Sequence, residues 1–216
     1  GKLFKSGFIG IIGRPNVGKS TLLNRCVGEQ IAISTQKPQT TRNRIMGIRN
    51  QENGQMIFLD TPGIHRAETP LTRYMVNQAL GTFADSDLLL LVVDASEGWK
   101  DGDQFIIDSL KKEKKPVILV INKIDLIVKT GILPLIDLSR GLFPFAAIIP
   151  ISAISGEGFE TLLEEVWKSL PEGPRYFPED MITDRSERFI AAELIREKIT
   201  LFTRQEIPYA LAVVVE

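Results

Sequence analysis

Cysteine is nearly absent from this chain: Cys26 is the only one in 216 residues, so no intrachain disulfide can form, which fits a reducing compartment. Histidine is as scarce, with His65 alone, and the two tryptophans, Trp99 and Trp167, have no aromatic neighbours in sequence to make a base-stacking platform. No long hydrophobic run occurs. Runs such as "LLLLVV" from Leu88 to Val93 are far too short to span a bilayer, and neither end reads as a signal peptide. An excess of one charge sign is missing too. With a formal net charge of −1 and a pI near 6.0, the chain has no global field to attract nucleic acid or an anionic membrane, so any basic patch must be local. The expectation is a soluble, cytoplasmic, monomeric protein, with peripheral contact at the inner face of the cell membrane left open.

What is present is enough apolar material, 44% of residues, for one full core and part of a second. Short apolar runs alternate with segments of helical period, the pattern of an α/β domain with a mostly parallel sheet. "FIGII" reads as a buried strand, followed by a Gly-rich turn and a helix through "TLLNRCV". "NRIMGIR" and "QMIFLD" flank Glu52-Asn53-Gly54, a hairpin signal that puts two antiparallel strands in the sheet. A helix near Pro70 to Phe83 then leads to strands at "DLLLLVVD", "PVILVIN" and "AAIIPIS", with helices near Asp103 to Lys111, Leu133 to Arg140 and Gly158 to Leu170. The fold class expected is α/β, with six strands in a mixed sheet. Composition shifts at "PEGPRYFPED", whose prolines and glycine read as a linker. The organisation expected is a first domain over 1–172, a linker over 173–183, and the start of a second, incomplete unit over 184–216. In that unit "SERFIAAELIREKITLF" has a helical apolar period and "IPYALAVVVE" reads as a strand.

"GRPNVGKS", Gly13 to Ser20, fits G-x-x-x-x-G-K-[ST] between a strand and a helix. Its glycines let backbone N–H groups wrap phosphates, the helix N-terminus adds a favourable dipole, Lys19 can reach the β- and γ-phosphates, and Ser20 can ligate Mg²⁺. "NKID", Asn122 to Asp125, follows a strand. A carboxylate at Asp125 can accept from N1–H and the exocyclic amine of guanine, donors that adenine does not offer there, which selects GTP over ATP. Asn122 would brace that loop and Lys123 would lie over the ring. "ISA" after the next strand would add a backbone donor at Ser152 and Ala153 to guanine O6. "DTPG", Asp60 to Gly63, would hold Mg²⁺ through water at Asp60 and meet the γ-phosphate with the Gly63 N–H. Within "STQKPQTTRNR", Thr41, with Thr40 the alternative, would close the Mg²⁺ shell. From Lys37 to Arg49 four basic residues and no acidic one give either a solvated loop or a local surface for RNA phosphates. "KKEKK", Lys111 to Lys115, reads as a solvated helix end.

In this order and wording the motifs resemble the Era family of bacterial GTPases, over the whole chain. The resemblance implies a GTPase domain followed by a KH domain, with action in assembly of the small (30S) ribosomal subunit. The implied partners are 16S rRNA near its 3′ end and the 30S precursor, and the implied cofactors are GTP or GDP with Mg²⁺. Carried over by motif, nucleotide contacts fall on Gly13, Asn16, Val17, Gly18, Lys19, Ser20 and Thr21, on Asp60, Thr61, Pro62 and Gly63, and on Asn122, Lys123 and Asp125. Metal ligands fall on Ser20, Thr41 and Asp60, and the catalytic set is Lys19, Thr41, Asp60 and Gly63. Two departures stand out. No G-x-x-G loop follows residue 180, and acidic residues outnumber basic ones there. Ile64, not Gln, follows Gly63, so the water is expected to be placed by backbone groups, with K⁺ near Asn16 a candidate for added positive charge; His65 reads as a surface residue. Two other readings remain: an RNA-binding module with incidental hydrolysis, and a related GTPase of tRNA modification.

Overall fold

The computed structural model describes residues 3–27, 44–60 and 86–179. Within them the order is β1 (Lys5–Gly13), α1 (Lys19–Val27), β2 (Arg44–Gln51), β3 (Gly54–Asp60), β4 (Leu88–Asp94), α2 (Asp101–Leu110), β5 (Val117–Asn122), α3 (Ile132–Arg140), β6 (Ala147–Pro150) and α4 (Phe159–Ser169). The strands form one six-stranded sheet in the order β2-β3-β1-β4-β5-β6. Only the β2–β3 pair is antiparallel; β1 pairs parallel with β3 and β4, and β5 parallel with β4 and β6. This is the expected mixed, mostly parallel α/β sheet. The helix read near Pro70 to Phe83, and the helix and strand read beyond residue 180, lie outside the described residues.

The run Leu88–Val93 explains why the sheet needs two layers of helices. Leu88, Leu90 and Val92 pack with α1 and α4 through Leu22, Cys26, Leu162 and Val166. Leu89, Leu91 and Val93 pack with α2 and α3 through Ile106, Ile107, Leu110 and Leu135. Alternate side chains of a strand face opposite ways, so an unbroken apolar run is stable only when both faces are covered. In α4, Phe159, Leu162, Leu163 and Val166 are all buried, the i, i+3, i+4, i+7 stripe of a helix laid on a sheet.

The β2–β3 hairpin forms at Glu52-Asn53, but its glycine serves another purpose than turn handedness. Gly54 has no left-handed φ; a Cβ there would lie 2.9 Å from both the Lys5 carbonyl oxygen and Trp167 Cδ1. Close approach of β1 and α4, with the Trp167 indole donating to the Asn53 carbonyl at 2.9 Å, is what requires a glycine.

The described part of the Pro- and Gly-rich segment read as a linker is packed as a strap. The Ser6 N–H donates to the Pro171 carbonyl, and the Gly173 N–H to the Phe4 carbonyl, each at 3.1 Å. Gln55 then closes the strap from beneath: its amide donates to the Phe177 carbonyl at 2.7 Å and accepts from the N–H groups of Tyr176 and Phe177 at 3.0 and 3.2 Å. Phe177 is fully buried, which contributes about 1.5–3 kcal/mol alongside these hydrogen bonds to holding the segment on the domain.

Cys26, on α1, is buried, and loss of water around it pushes its thiol up to about 12, against the pull of Arg49. At pH 8 about one thiol in 10⁴ would then be thiolate, the reactive form. The folded chain is therefore expected to stay unlabelled by iodoacetamide at pH 8 under conditions that label it fully in denaturant, as read by mass spectrometry. Equal labelling in both states would contradict the packing described.

Candidate nucleotide-binding site

Four loops meet at the carboxyl ends of the parallel strands. Register places them side by side: Gly13 pairs with Val92, Asp94 with Asn122, and Ile121 with Pro150. An open α/β sheet binds ligands along this edge.

The first loop, residues 14–18, runs from β1 into α1. Gly18 has φ +102, and a Cβ on it would collide with the Asn122 side-chain amide, so both the handedness and the closeness of the loop demand glycine. Asn16 also takes a left-handed φ, of 67°. The Lys19 ammonium donates to the Gly13 carbonyl at 2.6 Å, which folds it back over the loop. Ser20 and Thr21 follow on the first turn of α1, both exposed at this edge.

Asn122 holds the loops together. Its amide donates to the Val17 carbonyl at 2.9 Å and its carbonyl accepts from the Ala153 N–H at 2.9 Å, with the residue 2% exposed. The bracing role read for Asn122 is thus a bridge between the phosphate loop and the loop after β6. The Ala153 N–H, read as a donor to guanine O6, lies at this edge and donates to Asn122. Ser152 Oγ donates to Asp125 Oδ1 at 2.9 Å and so sets the orientation of that exposed carboxylate. The Lys123 ammonium donates to the Asn16 carbonyl at 2.7 Å and pairs with Asp94 Oδ2 at 2.9 Å. Asp60 ends β3 opposite Arg44, at the same edge. Thr40, Thr41, Thr61, Pro62 and Gly63 lie outside the described residues.

Three side chains escaped sequence reading. Asp94 ends an otherwise apolar strand, and a buried acid there was a legible signal. Burial pushes its carboxyl up, but the Ser96 hydroxyl and N–H and the Lys123 ammonium outweigh that and leave it below the usual carboxylate range. Arg14, inside the phosphate loop, bonds Asp103 Oδ1 at 2.9 Å and Glu97 Oε2 at 3.3 Å, and so turns away from the loop's concave face. Arg25, in the last turn of α1, donates to the Ala153 and Ile154 carbonyls at 2.7 and 2.8 Å. These partners lie 89 and 128 residues away in sequence, beyond any local pattern.

A family model described as 50S ribosome-binding GTPase matches residues 8–123, a span that holds the phosphate loop and the start of NKID. GTPase Era of Syntrophus aciditrophicus is 64% identical over 214 residues, covering 99% of this chain and 70% of that protein. The chain belongs to the Era family of GTPases. GTPase Era of Geotalea uraniireducens is 53% identical over 215 residues, covering 100% of this chain and 72% of that protein. Among solved structures, an Aquifex aeolicus Era variant bound to GDP and aluminium fluoride matches with TM-score 0.71 and 44% identity, over 95% of this chain and 70% of that one. An Era complex with MgGDPNP and nucleotides 1506–1542 of 16S ribosomal RNA matches with TM-score 0.72 and 45% identity, over the same shares. The Era fold is therefore the fold of this chain, a P-loop GTPase domain built on a mixed six-stranded sheet.

Proposed function

We propose that the chain binds GTP at the edge just described, hydrolyses it to GDP and phosphate with Mg²⁺, and uses the nucleotide state to gate binding to 16S rRNA in the small-subunit precursor. The observation that carries the nucleotide half is the Asn122 bridge, which clasps a phosphate-wrapping loop to the loop after β6. Lys19 neutralises the β- and γ-phosphates, and the backbone N–H groups of residues 14–18 take their oxygens. Ser20, Thr41 and Asp60 would supply only oxygen donors, the chemistry that suits a hard divalent cation. Bound there, Mg²⁺ would offset charge on the β- and γ-phosphate oxygens. The Gly63 N–H would meet the γ-phosphate, and Asn16 is the candidate neighbour of K⁺.

The RNA half is supported by the Era complex that holds a 16S rRNA segment, and by the local excess of basic residues from Lys37 to Arg49. The protein is proposed to act as a cytoplasmic monomer, with peripheral membrane contact secondary.

The test is fluorescence anisotropy with a labelled RNA of the sequence of nucleotides 1506–1542. Binding is expected with a non-hydrolysable GTP analogue and weaker binding with GDP, with an affinity that falls steeply as salt rises. Equal affinity in both nucleotide states would remove the gating, and no binding at low salt would remove the RNA half.

A further inference from the structure

The loop after β4 belongs to none of the recognised motifs, yet it touches the nucleotide loops at two points. Asp94, at its start, is 2% exposed, and both its oxygens are engaged. Oδ1 accepts from the Ser96 N–H at 2.8 Å and the Ser96 hydroxyl at 2.6 Å, while Oδ2 meets the Lys123 ammonium at 2.9 Å. The same ammonium donates to the Asn16 carbonyl at 2.7 Å. Asn16 and Lys123 both sit in the left-handed region, at φ 67° and 68°. Non-glycine residues are costly there, so such a pair persists only when neighbours hold it. The far end of the loop is anchored as well: Glu97 and Asp103 hold Arg14, and Asp103 Oδ2 accepts from the Lys100 N–H at 2.9 Å.

We propose that Asp94 is a positioning residue for nucleotide retention, acting through Lys123. Its carboxylate fixes the ammonium between itself and the phosphate loop, so the lysine stem that would lie against guanine is set in place before the nucleotide enters. Serine at 96 completes the device, because its two bonds occupy Oδ1 and leave Oδ2 for the lysine. Ordering a long, flexible lysine in advance removes part of the entropy loss that binding would otherwise carry. The effect therefore appears chiefly as slower dissociation of bound nucleotide.

The inference rests on the GTP-binding reading above. The experiment is stopped-flow dissociation of a fluorescent GDP from the wild-type chain, from Asp94→Asn and Lys123→Ala, and from the double variant. Asp94→Asn, which keeps shape and removes charge, is expected to speed dissociation about tenfold, the scale of a charge-assisted hydrogen bond. The double variant is expected to dissociate no faster than Lys123→Ala alone, because Asp94 then has nothing to position. Ser96→Ala is a milder probe, with a smaller acceleration that also vanishes in the Lys123→Ala background. Unchanged dissociation in Asp94→Asn would overturn the proposal, as would effects that add to those of Lys123→Ala, which mark a merely structural role. Failure of the wild-type chain to retain the fluorescent GDP at all would overturn the GTP-binding reading together with this one.

Discussion

Lys19→Ala is expected to lower kcat/KM for GTP by about 10²–10³-fold, the scale seen when one preorganised electrostatic contact to a developing charge is removed. Arg14 is held by Asp103 and Glu97, and Lys123 by Asp94 and the Asn16 carbonyl. The Lys19 ammonium bonds the Gly13 carbonyl at 2.6 Å, which folds it over the phosphate loop, where a charge-assisted bond to a phosphate oxygen would form. Lys19→Arg is expected to rescue little, since a planar guanidinium fork does not fit the place of a compact ammonium folded over one carbonyl. Phosphate release under steady-state conditions gives the answer. Turnover within tenfold of wild type would mean that the charge comes from elsewhere.

Asp125→Asn is expected to weaken GTP binding by about 10³-fold and to shift preference toward xanthosine triphosphate. The carboxylate offers two acceptors to the N1–H and exocyclic amine of guanine. An amide replaces one acceptor with a donor, which suits the C2 carbonyl of xanthine and leaves guanine with a donor facing a donor. Ser152 is what makes the change sharp. Its hydroxyl donates to Asp125 Oδ1 and fixes the side chain, so the base reads an oriented carboxylate and not a freely rotating one. Competition of GTP and xanthosine triphosphate against labelled GDP measures the shift. Equal losses for both nucleotides would show that Asp125 supports the loop without reading the base.

The same comparison shows what could be read from local pattern. The phosphate loop was legible because its chemistry is local: five residues of backbone wrap one charged group, and only glycine serves at Gly18. The central strand was legible too, since "LLLLVV" without polar alternation demands a strand covered on both faces. The packing of the Pro- and Gly-rich segment had no signal in composition. Its prolines do break helical order, yet Gln55, a buried amide on β3, offers both donor and acceptor to the chain at Tyr176 and Phe177 and turns a break into a strap.

By itself the sequence determined the α/β class, the hairpin, the loop chemistry and the preference for guanine, because each depends on residue types spaced within one turn or one strand. Tertiary structure alone decided the connections among the loops: Asn122 to Val17 and Ala153, Arg25 to Ala153, and Asp94 to Lys123. Each joins groups that the packing of strands and helices brings together at one end of the sheet. The physical reason is that a parallel sheet needs a crossover between paired strands, so neighbours at its carboxyl edge are distant in sequence. Their hydrogen bonds have no local signature, yet they hold the loops of the site together.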